Sequence, residues 1–197
     1  EVNRRAVPLQ ERLNELANAF AGPAQAKGLS FRVRPSALWA DTDPVILARI
    51  LSNLAANAVR YTEKGRILIA ARRRGEAVAL RVIDTGIGIA EDQRARIFEE
   101  FYQVGNVARD REHGLGLGLA IVQRSVALLG GRVQVASVPG NGSCFTVTLP
   151  RANAPVAPPA PIAAAPAPRS RRVLLIDDNP EVLDSMQQLL REWGHTP

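Results

Sequence analysis

The stretch Asn53-Leu54-Ala55-Ala56-Asn57-Ala58-Val59-Arg60-Tyr61-Thr62 carries two overlapping periodicities. It closes a segment that opens at Asp43-Pro44, a good N-cap followed by proline in the first turn. Leu47, Ile50, Leu51, Leu54 and Ala58 recur at spacings of three and four and predict one buried face of a helix over 43–61. A second stripe holds Asn53, Asn57 and Arg60, with Tyr61 beside them. Asparagine disfavours helix interiors, so two in register need a reason. One reason is an amide oxygen for a hard cation such as Mg²⁺, which accepts one or two protein oxygens beside phosphates and water. A pair of solvated or capping amides gives the same pattern.

Two glycine-rich segments lie downstream. Leu80-Arg81-Val82-Ile83 reads as a strand that ends in Asp84-Thr85-Gly86-Ile87-Gly88-Ile89. A carboxylate at a strand end can accept a hydrogen bond from an exocyclic amine, and the glycines let a ligand approach backbone. An ordinary acidic turn is the plain alternative. In His113-Gly114-Leu115-Gly116-Leu117-Gly118-Leu119 glycine alternates three times before an apolar helix begins. Backbone N–H groups at such a helix start can hold phosphates. The segment is neither a Walker loop nor a dinucleotide fingerprint, since no Gly-Lys-Ser/Thr follows and no strand leads into it. Simple glycine packing is the other reading.

The remaining pattern supplies the layers. Leu9, Leu13, Leu16 and Phe20 predict a helix over 9–27, and residues 29–34 alternate as a strand. Residues 67–73 and 77–84 predict a hairpin around Gly75-Glu76, residues 91–97 a short helix, and 132–137 and 143–149 the last strands. A helix from about Gly116 ends at Gly130-Gly131. The expected fold is an α/β two-layer sandwich, a mixed sheet of about five strands with three helices on one face.

Composition narrows the class. At 197 residues, 46% hydrophobic and 22% charged, the chain is long enough for one sizeable core and is not disordered throughout. One cysteine, Cys144, excludes an intramolecular disulfide framework. No stretch approaches the roughly 18 apolar residues of a membrane span. The chain opens on Glu1, which reads as a fragment whose missing N-terminal part could carry a targeting or membrane segment. The net charge of +6 falls in residues 1–150, but the arginines are scattered, so direct nucleic-acid binding is not expected. Residues 151–170 form an uncharged-centred Ala/Pro-rich linker, with six prolines in 152–168.

Five segments in this order resemble the ATP-binding domain of sensor histidine kinases, within the GHKL (Bergerat-fold) ATPase superfamily. Asn53–Thr62 is similar to the N box and Asp84-x-Gly86-x-Gly88 to the G1 box. Ile97-Phe98-Glu99-Glu100-Phe101 is similar to the F box and Gly114-x-Gly116-Leu117-Gly118 to the G2 box. Gly142-Ser143-Cys144-Phe145 resembles the terminal strand motif. The resemblance covers about 9–150 and implies ATP and Mg²⁺ as ligands. By position, it implies Asn57 as the Mg²⁺ ligand, Asp84 as the adenine-amine acceptor and Tyr61 as a packing surface for adenine or ribose. It implies Arg60 at the phosphates, pocket-shaping roles for Gly86, Gly88, Gly114, Gly116, Leu117 and Gly118, and an ATP lid over 102–115 anchored by Phe98 and Phe101. Arg109 or Arg111 would reach the γ-phosphate. Asn53 stands where hydrolytic branches carry a glutamate base. An amide cannot be a general base, so hydrolysis is expected to be slow. Leu115 departs from the small polar residue common in the G2 box, at the expected cost of one hydrogen bond.

The resemblance implies a phosphoacceptor histidine on a dimerising helical hairpin, with residues 1–8 as the exit from it. Neither His113 nor His195 has that context. Residues 171–197 resemble the start of a response-regulator receiver domain, in which Asp177 and Asp178 would form a Mg²⁺ site at a strand end. The implied parent is a hybrid histidine kinase. Its partners would be the hairpin, the receiver in cis and a downstream response regulator. The domain itself is expected to be cytoplasmic and monomeric, with a parent that could be anchored in the inner membrane.

Overall fold

Asp43 starts the helix around which the rest is arranged. Its Oδ1 accepts from the Val45 and Ile46 N–H groups at 2.9 and 3.1 Å, and Pro44 occupies the first turn. The chain is described here by a computed structural model covering residues 2–103, 116–154, 172–176, 178–192 and 196. It divides into two compact units, residues 1–155 and 156–197.

In the first unit the elements run β1 (Arg5–Pro8), α1 (Leu9–Ala26), β2 (Ser30–Val33), β3 (Trp39–Thr42), α2 (Pro44–Tyr61), β4 (Arg66–Arg74), β5 (Ala77–Asp84), α3 (Gly118–Leu128), β6 (Arg132–Val138) and β7 (Gly142–Ala152). The sheet order is β1-β3-β7-β5-β4-β2, with β6 also on β7. Only β2 and β4 pair in parallel among the described strands. Eleven-residue β7 is the spine: it pairs with β5 along one edge, and with β6 and then β3 along the other.

Alternation decides which side of the sheet is buried. Ile67, Ile69, Val78, Leu80, Val82, Phe145, Val147 and Leu149 join Leu47, Ile50, Leu51 and Leu54 of α2 and Val122 and Val126 of α3 in one core. The expected three helices are α1, α2 and α3. Leu54 is 1% exposed, so truncation to Ala would cost about 2–5 kcal/mol. The α3 terminus is closed as its glycines predict. Gly130 takes a φ of 69°, and the Gly131 N–H bonds the Val126 carbonyl at 2.9 Å.

Three expectations are corrected. The sheet has seven strands rather than about five, because β1 and β3 each add four residues. The first of these, Arg5–Pro8, pairs antiparallel with Trp39–Thr42. The helix expected over 91–97 is two three-residue 3₁₀ turns, Glu91–Gln93 and Arg96–Phe98. So short a stretch forms too few hydrogen bonds to offset helix nucleation. Finally, α3 begins at Gly118 and not near Gly116, because Gly116 takes a φ of 68° outside the helical region.

In the second unit, α4 (Pro180–Glu192) leaves Val182, Met186 and Leu189 exposed. Arg172 and Thr196 form an isolated parallel bridge.

Candidate functional site

Ser137, Ser143 and Asp84 stand in one row across β6, β7 and β5, on the helix-covered side of the sheet. Asp84 is 7% exposed. Its Oδ1 accepts from the Gly86 N–H at 2.9 Å and the Ser143 N–H at 3.2 Å, while Oδ2 has no hydrogen bond among the described residues. Burial pushes the Asp84 carboxyl above its ordinary value, and the two N–H groups oppose that rise. The Ser137 hydroxyl donates to the Gly142 carbonyl at 2.8 Å and accepts from the Ile89 N–H at 2.8 Å. With that proton committed, the 2.9 Å contact between the Ser137 and Ser143 hydroxyls must run from Ser143 to Ser137. Ser143 Oγ is thereby left with acceptor capacity only.

Glycines let the loops close around this row. A Cβ on Gly88, whose φ is 70°, would collide with the Val138 carbonyl, and one on Gly142 with the Asp84 carbonyl. A Cβ on Gly86 would strike the Tyr61 carbonyl, which accepts the Ile87 N–H at 3.1 Å. The end of α2, the loop after β5 and the β6–β7 turn therefore interlock.

Above the row lies a pocket lined by Asn57, Tyr61, Asp84, Gly88, Ser143 and Leu119, among others. It continues into a second cavity that shares Asn57 and Tyr61 and adds Asn53, Arg60, Gly116, Leu117 and Gly118. One end is thus an apolar slot with an acidic floor. The other is a cleft of mixed lining at the start of α3, where the N–H groups and dipole of a helix N-terminus favour an anion. The Asn53 Nδ2 donates to the Arg49 carbonyl at 2.9 Å. Its Oδ1 would lie 3.2 Å from a Cβ placed on Gly118. Asn57 makes no side-chain hydrogen bond among the described residues, so its amide oxygen is available to a hard cation in the cleft. The Arg60 guanidinium lies 5.6 Å from the Tyr61 ring centre.

The structure brings together Asn53, Asn57, Arg60, Tyr61, Asp84, Gly88, Gly116, Leu117 and Gly118, with Gly86 directly behind the wall. Phe98 packs against the core, outside the lining. Phe101 is 66% exposed. That residue contributes backbone instead, with a φ of 63° and an N–H on the Gly116 carbonyl at 3.2 Å. Arg109, Arg111, Gly114, His113, Leu115 and Asp177 lie outside the described residues, and Asp178 is exposed in the second unit. Sequence reading gave no individual role to Ile97, Leu119 or Phe145, which line the pocket, or to Ser137 and Ser143; Tyr102 and Gln103, which also line it, were expected only as the start of a lid. Ile97 and Phe145 fell inside quoted motifs, so proximity to those motifs was the available signal.

Such a site, with an amide-bearing helix, an acid at a strand end and a glycine-led helix over one mixed sheet, defines a class of nucleotide-binding protein. The chain belongs to the histidine kinase-, DNA gyrase B- and HSP90-like ATPase family, whose profile matches residues 42–153. It is 37% identical over 174 residues to sensor histidine kinase AtsR of Burkholderia thailandensis, covering 84% of this chain and 29% of that one. It is 37% identical over 190 residues to the virulence sensor protein BvgS of Bordetella bronchiseptica, covering 89% and 15%. It is 41% identical over 108 residues to sensor histidine kinase RcsC of Escherichia coli, covering 55% and 11%. The chain thus spans less than a third of these relatives. Among solved structures, full-length ShkA in complex with AMPPNP matches all of this chain and 40% of its own, with a TM-score of 0.68 and 33% identity. The nucleotide-free catalytic domain of histidine kinase ThkA shares the fold, with a TM-score of 0.65 over 76% of this chain and 96% of its own, at 24% identity. No described helix is long and apolar enough to cross a membrane.

Proposed function

We propose that the first unit binds Mg²⁺–ATP and presents its γ-phosphoryl to a histidine on a helical hairpin of the same parent, as one step of a two-component phosphorelay. The observation that carries this reading is the Asp84 carboxylate. Two backbone N–H groups hold one oxygen, and the other is available at the floor of the slot. Together with Ser143 Oγ it offers acceptors to the exocyclic amine of adenine. A base with a carbonyl at that position would face acceptors with an acceptor.

The phosphates would lie toward the N-terminus of α3, beside Arg60 and below Gly116–Gly118. Asn57 would supply an oxygen to the cation, which on binding neutralises phosphate charge. Phosphoryl transfer asks for positioning and charge neutralisation more than for covalent help, and the interlocked loops provide positioning. Asn53 supports transfer over hydrolysis. Its amide is tied to the Arg49 carbonyl and cannot take a proton from water. Residues 171–197 read as the opening of a receiver domain. The exposed apolar face of α4 supports this, since it needs further chain to cover it. The partners would be that receiver and a downstream response regulator.

The test is calorimetric titration of the chain with ATP, with and without Mg²⁺, beside Asp84→Asn and Asn57→Ala. Loss of binding in Asp84→Asn, and loss of the Mg²⁺ dependence in Asn57→Ala, are the expected results. A histidine hairpin from a close relative, added in trans with ATP, should then acquire phosphate. A folded wild-type chain that binds no ATP would overturn the reading.

A further inference from the structure

The helix-free face of the sheet has a charge pattern that nucleotide binding does not use. Arg132 and Arg72 end one row across β6, β7, β5 and β4, with Thr148 and Ala79 between them. Arg81 sits mid-sheet between Thr146 and Ala70. Arg32 of β2 ends a third row beyond Leu68, Ile83 and Cys144. Arg66 and Arg74 share the same side of β4. At the β2–β4 end, Arg32, Arg34, Arg66, Leu68 and Ile83 line one shallow concavity.

No aspartate or glutamate occupies an outward position of β2, β4, β5 or β6, or of β7 between 142 and 148. Arg32, Arg66, Arg72, Arg74 and Arg132 are exposed, and among the described residues none has a carboxylate within 4.0 Å. Some arginines elsewhere are paired: Arg4 with Asp41 at 2.8 Å, Arg12 with Glu15 at 2.7 Å and Arg124 with Glu100 at 2.7 Å. This face therefore carries positive charge with no acid beside it among the described residues.

We propose that this face docks an acidic amphipathic helix of a partner protein. Ala70, Ala79, Thr146 and Thr148 form a centre of small side chains, which lets another helix approach the strands closely. Arg32, Arg72 and Arg132 lie around that centre, and Arg81 stands within it, its Nη2 donating to Cys144 Sγ at 3.3 Å. Small side chains interspersed with arginines and without acids match the arginine enrichment of protein interfaces, and guanidinium groups suit bidentate pairing with carboxylates. A helix there adds a third layer to a two-layer fold. A second copy of this chain is disfavoured, since it would set arginine against arginine. Single-stranded nucleic acid is disfavoured because these rows hold no aromatic side chain on which a base could stack.

The experiment uses the whole chain, isotope-labelled for NMR. The probe is a synthetic helical peptide with glutamates flanking an alanine–leucine stripe. A scrambled peptide of equal charge, duplex DNA and phosphatidylserine vesicles are titrated in parallel. The expected result is salt-sensitive binding of the striped peptide, with shifts at the Leu68, Ala79 and Thr146 amides. Binding should weaken at least tenfold in the Arg32→Glu/Arg72→Glu/Arg132→Glu variant, with ATP affinity unchanged. Should that variant misfold, the corresponding Arg→Gln variant reads the same loss. Equal binding of the scrambled peptide, tighter binding of DNA or vesicles, or an unaltered affinity in the variant would overturn the proposal.

Discussion

The Ser137 hydroxyl lies 2.9 Å from the Ser143 hydroxyl and bonds the Ile89 N–H on its other side, so one buried group ties β6 to β7 and to the loop beyond β5. Removing it in Ser137→Ala strands the Ile89 N–H and the Gly142 carbonyl. The expected loss is about 1–3 kcal/mol of stability. A drop in adenine-nucleotide affinity should accompany it. Ser137→Thr keeps the hydroxyl and should restore much of both. Urea unfolding and ATP titration on the three proteins check this.

Gly88 and Gly140 make a matched pair. Both have positive φ, 70° and 76°. A Cβ at Gly88 meets the Val138 carbonyl, whereas a Cβ at Gly140 meets nothing within 4 Å. Gly140→Ala should therefore cost only backbone strain, about 1 kcal/mol. Gly88→Ala adds a collision and should cost about 3 kcal/mol or more. Equal unfolding midpoints for the two variants would contradict the interlocking of these loops.

Asp43 links acid sensitivity to a helix cap. The Asn3 N–H, which bonds Oδ2 at 2.8 Å, is the main cause holding its pKa below 3.8. The Ile46 and Val45 N–H groups and Arg5 add to it. A carboxyl with a depressed folded pKa gives its full stabilisation above the ordinary value and loses it as pH falls through the folded one. Asp43→Ala should cost about 1 kcal/mol near neutral pH. The gap between wild type and variant should close on acidification below 3.8, as urea unfolding at two pH values would show.

Asp84 behaves in the opposite sense. Its folded pKa is raised, chiefly by burial. Between the ordinary and the raised value the native state binds more protons than the unfolded state, so stability falls as pH rises there. Ligand binding needs the carboxylate as an acceptor. Affinity for adenosine, which has no phosphate to titrate, should fall as pH drops through a range still above 3.8. A flat profile down to that value would contradict the role given to Asp84.

Much of this architecture can be read from sequence where the signal is local. The α2 cap at Asp43, the 3.6-residue stripe through Leu54 and the Gly130-Gly131 stop each lie within a few residues of what they specify. β1 and β3 are not legible in that way. Each is four residues, β1 ends in Pro8, and their pairing joins Trp39 to Ala152 across most of the domain. Ser137 shows the same limit within the site. A serine near a strand end reads as solvent-facing until β6, β7 and β5 align it with Asp84. Phe101 was expected only as an anchor of the lid, and what the structure adds is its backbone bond to the Gly116 carbonyl.

The row Pro8–Trp39–Ala152 places the end of the first strand two strand spacings, about 10 Å, from the end of the last. The domain is therefore nearly a closed circuit of chain. A circular permutant joining residue 152 to residue 5 through a few glycines, and opened at the exposed Gly75-Glu76 turn, would keep every strand pairing. The chain enters β1 at Arg5, opposite Thr42, and leaves β7 at Ala152, opposite Trp39, so modules spliced before and after this domain would pull on the two ends of the short strand β3.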